Sequence, residues 1–117
     1  MRFTEISNSL ECREFNRGEN FNAGEIRYVT AGDLMSEVLV FDKENLLLVT
    51  SLNSEQVLRT ANMVDSLGVV LVNSKTPNDQ MISMAEDLGI VLLSTKYSMF
   101  EACAILYELL NSSDGNA

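Results

Sequence analysis

The sequence predicts an α/β fold, a mainly parallel sheet built from consecutive β-α units with helices on both faces. Three short apolar runs carry the strand prediction: Leu46-Leu47-Leu48-Val49-Thr50, Val69-Val70-Leu71-Val72-Asn73 and Ile90-Val91-Leu92-Leu93-Ser94. They are continuous rather than alternating, the pattern of strands buried on both faces. Each run is followed by a segment whose apolar residues recur at helical spacing. The last two units also read alike, Val70-Leu71-Val72-Asn73-Ser74-Lys75 against Val91-Leu92-Leu93-Ser94-Thr95-Lys96. Sequential β-α units of this kind join through right-handed crossovers into a parallel sheet.

Taken in order, residues 3–10 have the pattern of a short helix capped by Thr4, and residues 11–15 that of a strand. Residues 18–24 are polar and loop-like. Residues 25–30 alternate charged and apolar side chains, as an edge strand does, and Ala31-Gly32-Asp33 turns the chain into a short helix over residues 34–39. After the first buried run, Asn53 or Ser54 can cap a helix carrying Val57, Leu58, Ala61, Val64 and Leu67 on one face, ended by Gly68. After the second, Thr76 can cap with Pro77 at the first helical position. The stripe Met81, Ile82, Ala85 and Leu88 follows, and Gly89 ends it. After the third, Ser98 and Glu101 have the spacing of a capping box. Residues 1–110 read as a single domain, and residues 111–117 as a polar tail expected to fray.

The last helix has an unusual composition. Between Met99 and Leu110 nearly every position is apolar, with Glu101 and Glu108 the exceptions. A surface helix carries one polar face, so this helix is either sandwiched inside the domain or covered by a partner. A domain this small has little room for a fully interior helix. The expectation is a homodimer whose interface includes Met99, Phe100, Cys103, Leu106, Tyr107 and Leu110.

Composition narrows the function classes. Hydrophobic residues make up 46% of the 117, enough for a real core. The net charge is −9 and Lys and Arg are nowhere clustered along the chain. That argues against nucleic acid, which needs a basic patch, and against an anionic membrane surface. The apolar runs are too short to span a bilayer. The N-terminus lacks the apolar stretch of a signal peptide, so a cytoplasmic location is expected. Cys12 and Cys103 are the two cysteines and there is no His. A zinc site needs about four N or S ligands, so neither a metal nor a cofactor is expected. Two free thiols fit a reducing compartment, and Cys103, within an apolar helical pattern, reads as a small core residue.

Catalytic constellations are missing. No His means no imidazole general base, and the chain holds no Walker-type loop, no G-x-G-x-x-G and no G-x-S-x-G. Glu86, Asp87 and Glu101 fall in helices, where a solvated face explains them. The chain is therefore expected to be non-catalytic. A binding site is more legible, because all three buried runs end in small polar pairs: Thr50-Ser51, Asn73-Ser74 and Ser94-Thr95. Ligands of open parallel sheets bind beyond the carboxyl ends of the strands, where helix N-termini offer free N–H groups. Lys75 and Lys96 follow two of these ends. The same residue types are also ordinary turn and capping residues. Gly32-Asp33 is likewise either an N-cap by Asp33 or an acceptor aimed at a neighbour. The candidate ligand-binding residues are Gly32, Asp33, Thr50, Ser51, Asn73, Ser74, Ser94 and Thr95.

Several of these stretches carry a family resemblance. Ala31-Gly32-Asp33-Leu34-Met35-Ser36, the two following buried runs, and Leu92-Leu93-Ser94-Thr95-Lys96-Tyr97-Ser98-Met99-Phe100-Glu101-Ala102 together resemble the DRTGG domain over about residues 25–110. That domain is similar to the N-terminal domain of HPr kinase/phosphorylase, and it also occurs as a regulatory insert in CBS-domain pyrophosphatases. The Asp-Arg-Thr-Gly-Gly motif itself is absent, and the corresponding stretch reads Asn22-Ala23-Gly24-Glu25-Ile26-Arg27. The resemblance implies a mainly parallel α/β fold with a dimerising, regulatory role. The resulting expectation is a homodimeric regulatory or ligand-sensing domain that takes a small anionic ligand or nucleotide. Its alternatives are a scaffold for a regulatory protein partner, or a phosphoacceptor modified at Ser51, Ser74 or Ser94.

Overall fold

The computed structural model describes residues 1–115. In chain order the elements are α1 (Phe3–Ser9), β1 (Arg13–Asn16), α2 (Asn20–Ala23), β2 (Tyr28–Ala31), α3 (Met35–Val38) and β3 (Leu46–Thr50). They continue with α4 (Glu55–Met63), β4 (Gly68–Leu71), α5 (Asp79–Leu88), β5 (Val91–Ser94) and α6 (Met99–Gly115). A five-stranded sheet has the order β1-β5-β4-β3-β2. Strands β2 to β5 run parallel, and β1 closes the far edge antiparallel to β5. The mainly parallel α/β prediction therefore holds.

Burial on both faces explains the continuous apolar runs. Every residue of β3, β4 and β5 is buried, and successive side chains point to opposite faces. Leu47, Val49, Val70, Val91 and Leu93 pack with Phe3, Ile6 and Leu10 of the α1 segment, Phe21 of α2, and Ala102 and Leu106 of α6. Leu48, Val69, Leu71 and Leu92 pack on the other face with Met35 and Val38 of α3, Val57, Leu58 and Ala61 of α4, and Met81 and Ala85 of α5.

Five local expectations change. Helix α1 starts one residue after Arg2, whose N–H donates to Glu5 Oε1 at 2.9 Å, so Thr4 lies inside the first turn and is no cap. The polar stretch 18–24 contains helix α2 because Phe21 is buried there, its ring 6.2 Å from Phe3. Gly68 does not end α4. Asp65 takes the left-handed position at φ 55°, and Gly68 opens β4 instead. A Cβ there would sit 2.6 Å from the Phe3 ring. The cap of α5 is Asn78, whose Oδ1 accepts the Met81 N–H at 2.8 Å, so Thr76 is no cap. Helix α6 has the expected capping box, with Ser98 and Glu101 exchanging bonds of 3.1 and 3.2 Å. It runs on to Gly115 rather than stopping at Leu110. Asn116 and Ala117, the end of the expected tail, lie outside the described residues.

Candidate functional site

The strand order is monotonic from β2 to β5, and the helices joining these strands, α3, α4 and α5, all pack on one face. Crevices of open sheets form where the winding reverses, so none is expected between β2 and β5. The chain changes face after β5, on its way from α5 to α6. Antiparallel β1 also brings Arg13 opposite Ser94 at that point. The topology therefore concentrates open space and side chains of different elements at the carboxyl end of β5.

The eight candidate residues separate into groups. Asp33, after β2, does not cap α3, whose N-cap is Leu34. Its carboxylate reaches across to β3 instead. Oδ1 accepts from Thr50 Oγ1 at 2.8 Å and from the Ser51 N–H at 2.7 Å, and Oδ2 accepts from Ser51 Oγ at 2.5 Å. These bonds, that of the Ser51 hydroxyl foremost, hold the carboxyl below its ordinary range. Thr50 and Ser51 thus donate to a carboxylate of the same chain, which joins the β2 and β3 ends. Gly32 supports the join, its N–H donating to Val49 O at 3.0 Å.

Asn73 and Ser74 form the two corners of a tight turn, at φ 58° and 60°, closed by Lys75 N–H to Val72 O at 3.1 Å. Both are exposed. The hydroxyls of Ser94 and Thr95 are buried and committed. Ser94 Oγ donates to Lys75 O, and Thr95 Oγ1 to Leu10 O, each at 2.6 Å. They fix the two walls of the β5 end, one from the turn after β4 and one from the segment before β1. Ser94 is 4% exposed, too closed for another protein's active site to reach it.

Two adjoining cavities occupy this end. A narrow cleft of about 90 Å³ is lined by Arg13, Ser74, Thr76, Ser94 and Lys96. A wider one of about 280 Å³ is lined by Leu10, Tyr97 and Glu101. Glu11, Thr95 and Lys96 belong to both. Neither Arg13 nor Lys96 has an ion-pair partner among the described residues, and Arg13 rests over the Phe15 ring at 4.9 Å. Tyr97 donates its hydroxyl to Glu11 Oε2 at 3.0 Å, and that bond pushes its phenol up from the ordinary value. Sequence reading singled out Ser74, Ser94, Thr95 and Lys96 but missed Arg13, Glu11 and Tyr97. Arg13 and Glu11 enter only because β1 pairs antiparallel with β5, and nothing in residues 11–15 announces that partner.

Helix α6 is neither interior nor uniformly exposed. Ala102 and Leu106 are buried in the chain's own core, and Leu106 reaches the surface only as part of a groove beside the helix. Phe100 and Tyr107 stand 83% and 68% exposed. Met99, Cys103 and Leu110 are half-buried. Cys103, Leu106, Tyr107 and Leu110 line this groove of about 280 Å³ between α6 and edge strand β2, whose Tyr28 and Val29 form the opposite wall.

The sequence matches no family model and no curated protein. A solved structure is similar: the CBS and DRTGG domains of the regulatory region of a Clostridium perfringens pyrophosphatase, complexed with its activator diadenosine tetraphosphate. The TM-score is 0.69 at 13% identity over 89% of this chain. The fold is DRTGG-like. This chain spans 45% of the length of that regulatory region, and at this identity the likeness is one of fold.

The thiols are quiet. Burial pushes Cys12 up to about 12, with Glu14 adding to the effect, and burial also raises Cys103. Both are protonated at neutral pH, and neither is an activated nucleophile. Cys103 lines the α6 groove rather than the core expected for it. Among the described residues no helix is long and apolar enough to cross a membrane, and no cluster of acids and thiols has metal-binding form.

Proposed function

We propose that residues 1–110 form a non-catalytic regulatory domain, a homodimer that senses a small anionic ligand or nucleotide at the carboxyl end of its sheet. The observation that carries this reading is the cleft beside β5. Two cations without an ion-pair partner among the described residues, Arg13 and Lys96, line a cavity with a single carboxylate, Glu11, in a chain of net charge −9. Two exposed cations that converge on one concave site attract anions more strongly than either does alone. The fold supports the same reading, since a similar fold occurs in a regulatory region crystallised with a nucleotide activator. The groups that would have to start covalent chemistry are either neutral, as the thiols are, or held in hydrogen bonds, as Asp33 is.

Dimerisation rests on the outer stripe of α6. Phe100, Cys103, Tyr107 and Leu110 are spaced 3-4-3, the seam of a helix that packs on another helix. The inner residues Ala102 and Leu106 already serve the core. Glu101 and Glu108 lie off this seam, so two copies of an acidic chain can meet there without opposing carboxylates. A scaffold that pairs through this stripe and takes no small ligand is the second reading, favoured by the same exposed aromatics.

Thermal unfolding against a panel of nucleotides, phosphorylated metabolites and simple anions, with the mass in solution recorded alongside, separates the two. A ligand that binds only the folded state adds about 2.7 kcal/mol at a hundredfold excess over its dissociation constant. The sensor reading expects one compound class to raise the transition of a dimer. A dimer that no compound stabilises is the scaffold.

A further inference from the structure

The two cavities at the β5 end differ in charge, and the difference has a direction. The narrow cleft holds two cations, Arg13 and Lys96, against one carboxylate, Glu11, with the hydroxyl-bearing Ser74 and Thr76 beside them. The wide cavity holds two carboxylates, Glu11 and Glu101, against one cation, Lys96, with the aromatic ring of Tyr97 and the apolar floor of Leu10. Glu101 is already engaged as the cap of α6. Glu11 accepts one bond, from Tyr97, and a carboxylate has room for about three more. An anionic group is therefore favoured in the narrow cleft and disfavoured in the wide one, where hydrogen-bond donors and a flat apolar surface fit better. A ligand that matches both is anionic at one end, with hydroxyl or amino donors and an aromatic face at the other.

Resting on the ligand-sensing reading above, we propose that this double cavity binds a nucleoside phosphate. Its phosphate lies in the cleft between Arg13 and Lys96, its ribose hydroxyls donate to Glu11, and its base lies in the wide cavity against Tyr97. A cleft of about 90 Å³ takes one phosphate-sized head. The rest of a nucleotide needs the adjoining space of about 280 Å³. Lys96 lines both cavities and can follow the phosphate, whereas Arg13 lines only the narrow one. The Asp33–Thr50–Ser51 group takes no part. Its donors are already bound to Asp33, whose negative charge repels phosphate.

The test is a calorimetric titration of the full chain at low salt with each of the four common ribonucleoside 5′-diphosphates, and with inorganic pyrophosphate as the arm that lacks a nucleoside. At least one nucleotide should bind the unaltered protein, and pyrophosphate should bind at least tenfold more weakly. Arg13→Ala and Lys96→Ala should each weaken nucleotide binding at least tenfold, as should Glu11→Gln to a smaller extent of about threefold. Tyr97→Phe, which keeps the ring, should bind, and Tyr97→Ala should not. Glu11, Arg13 and Lys96 are exposed, so circular dichroism should report unchanged folds for their variants, and Tyr97→Phe keeps the ring that packs against the core. Lys43→Ala, on the loop before β3, should bind as the unaltered protein does. Nucleotide binding that survives both cation substitutions would overturn the proposal and leave the sensing reading intact. Pyrophosphate binding as tight as nucleotide binding would remove the nucleoside from it. No binding by any of these compounds, with no stabilisation by any other anion, would overturn both readings.

Discussion

Asp33 shows how one side chain can be a local clamp rather than a ligand group. It holds the β2 and β3 ends together with three hydrogen bonds to Thr50 and Ser51. Charge-assisted bonds of this type are stronger than neutral ones, but Asp33 is largely exposed and water screens part of their value. Asp33→Ala should therefore cost about 1 kcal/mol at pH 7, roughly 3–5 °C in the thermal midpoint. The pH dependence has a definite sign. Because the folded carboxyl titrates below its unfolded value, its contribution is full above the unfolded value and is lost as pH falls through the folded one. Denaturation curves of the protein and of Asp33→Asn should thus differ at pH 7 and converge in strong acid. Gly68 makes a sharper prediction. A methyl group at this position would meet the buried Phe3 ring at 2.6 Å, and Phe3 is enclosed on all sides. Gly68→Ala should destabilise by about 1–3 kcal/mol, the usual range for overpacking, readable as a lower urea midpoint at unchanged slope.

At the level of elements, α6 does two jobs with opposite faces. Leu106→Ala removes a core side chain and should cost about 2–5 kcal/mol. Phe100→Asp with Tyr107→Asp changes only exposed positions and should leave the unfolding transition of the monomer nearly unmoved. On the dimer reading it should halve the mass measured by light scattering. A mass unchanged by the double substitution would place the contact elsewhere. The composition of α6 was readable in the sequence, but its division into an inner and an outer face was not. Leu106 and Tyr107 are adjacent, and only the position of the sheet decides which one is covered. The three buried strands were legible because parallel strands covered on both faces need unbroken apolar runs. Gly68 misled because glycine serves both helix ends and close approaches, and the Phe3 ring that requires it is far away in sequence. Strand β1 shows the same limit. Its residues 13–16 carry no apolar pattern, and its pairing with β5 is what brings Arg13 to the cleft.

On the scale of the whole molecule, the notable feature is where the few positive charges lie. The chain has 8 Lys and Arg against 17 Asp and Glu, and two of the 8, Arg13 and Lys96, line one cleft at the β5 end. They share it with one carboxylate, Glu11, and the Lys75 carbonyl holds its wall through the Ser94 bond. The opposite, amino end of the sheet has a larger cavity of about 480 Å³, and Glu19, Glu86 and Asp87 line it. An anionic ligand thus meets more cations than carboxylates only in the narrow cleft, and acidic side chains alone among the charges lining the amino end, and its binding should weaken as salt rises. The serines and threonines singled out in the sequence build this end more than they line it, because the Ser94 and Thr95 hydroxyls are consumed in holding its walls.

The most direct test of a ligand-sensing carboxyl edge is an amide-resolved NMR titration of the isotope-labelled protein with a ribonucleoside diphosphate. The account predicts saturable shifts confined to the Glu11–Arg13, Ser74–Thr76 and Lys96–Tyr97 amides and their neighbours. A spectrum that does not change, or changes centred on Gly18, Asn20 and Gly89 at the amino end, would contradict it.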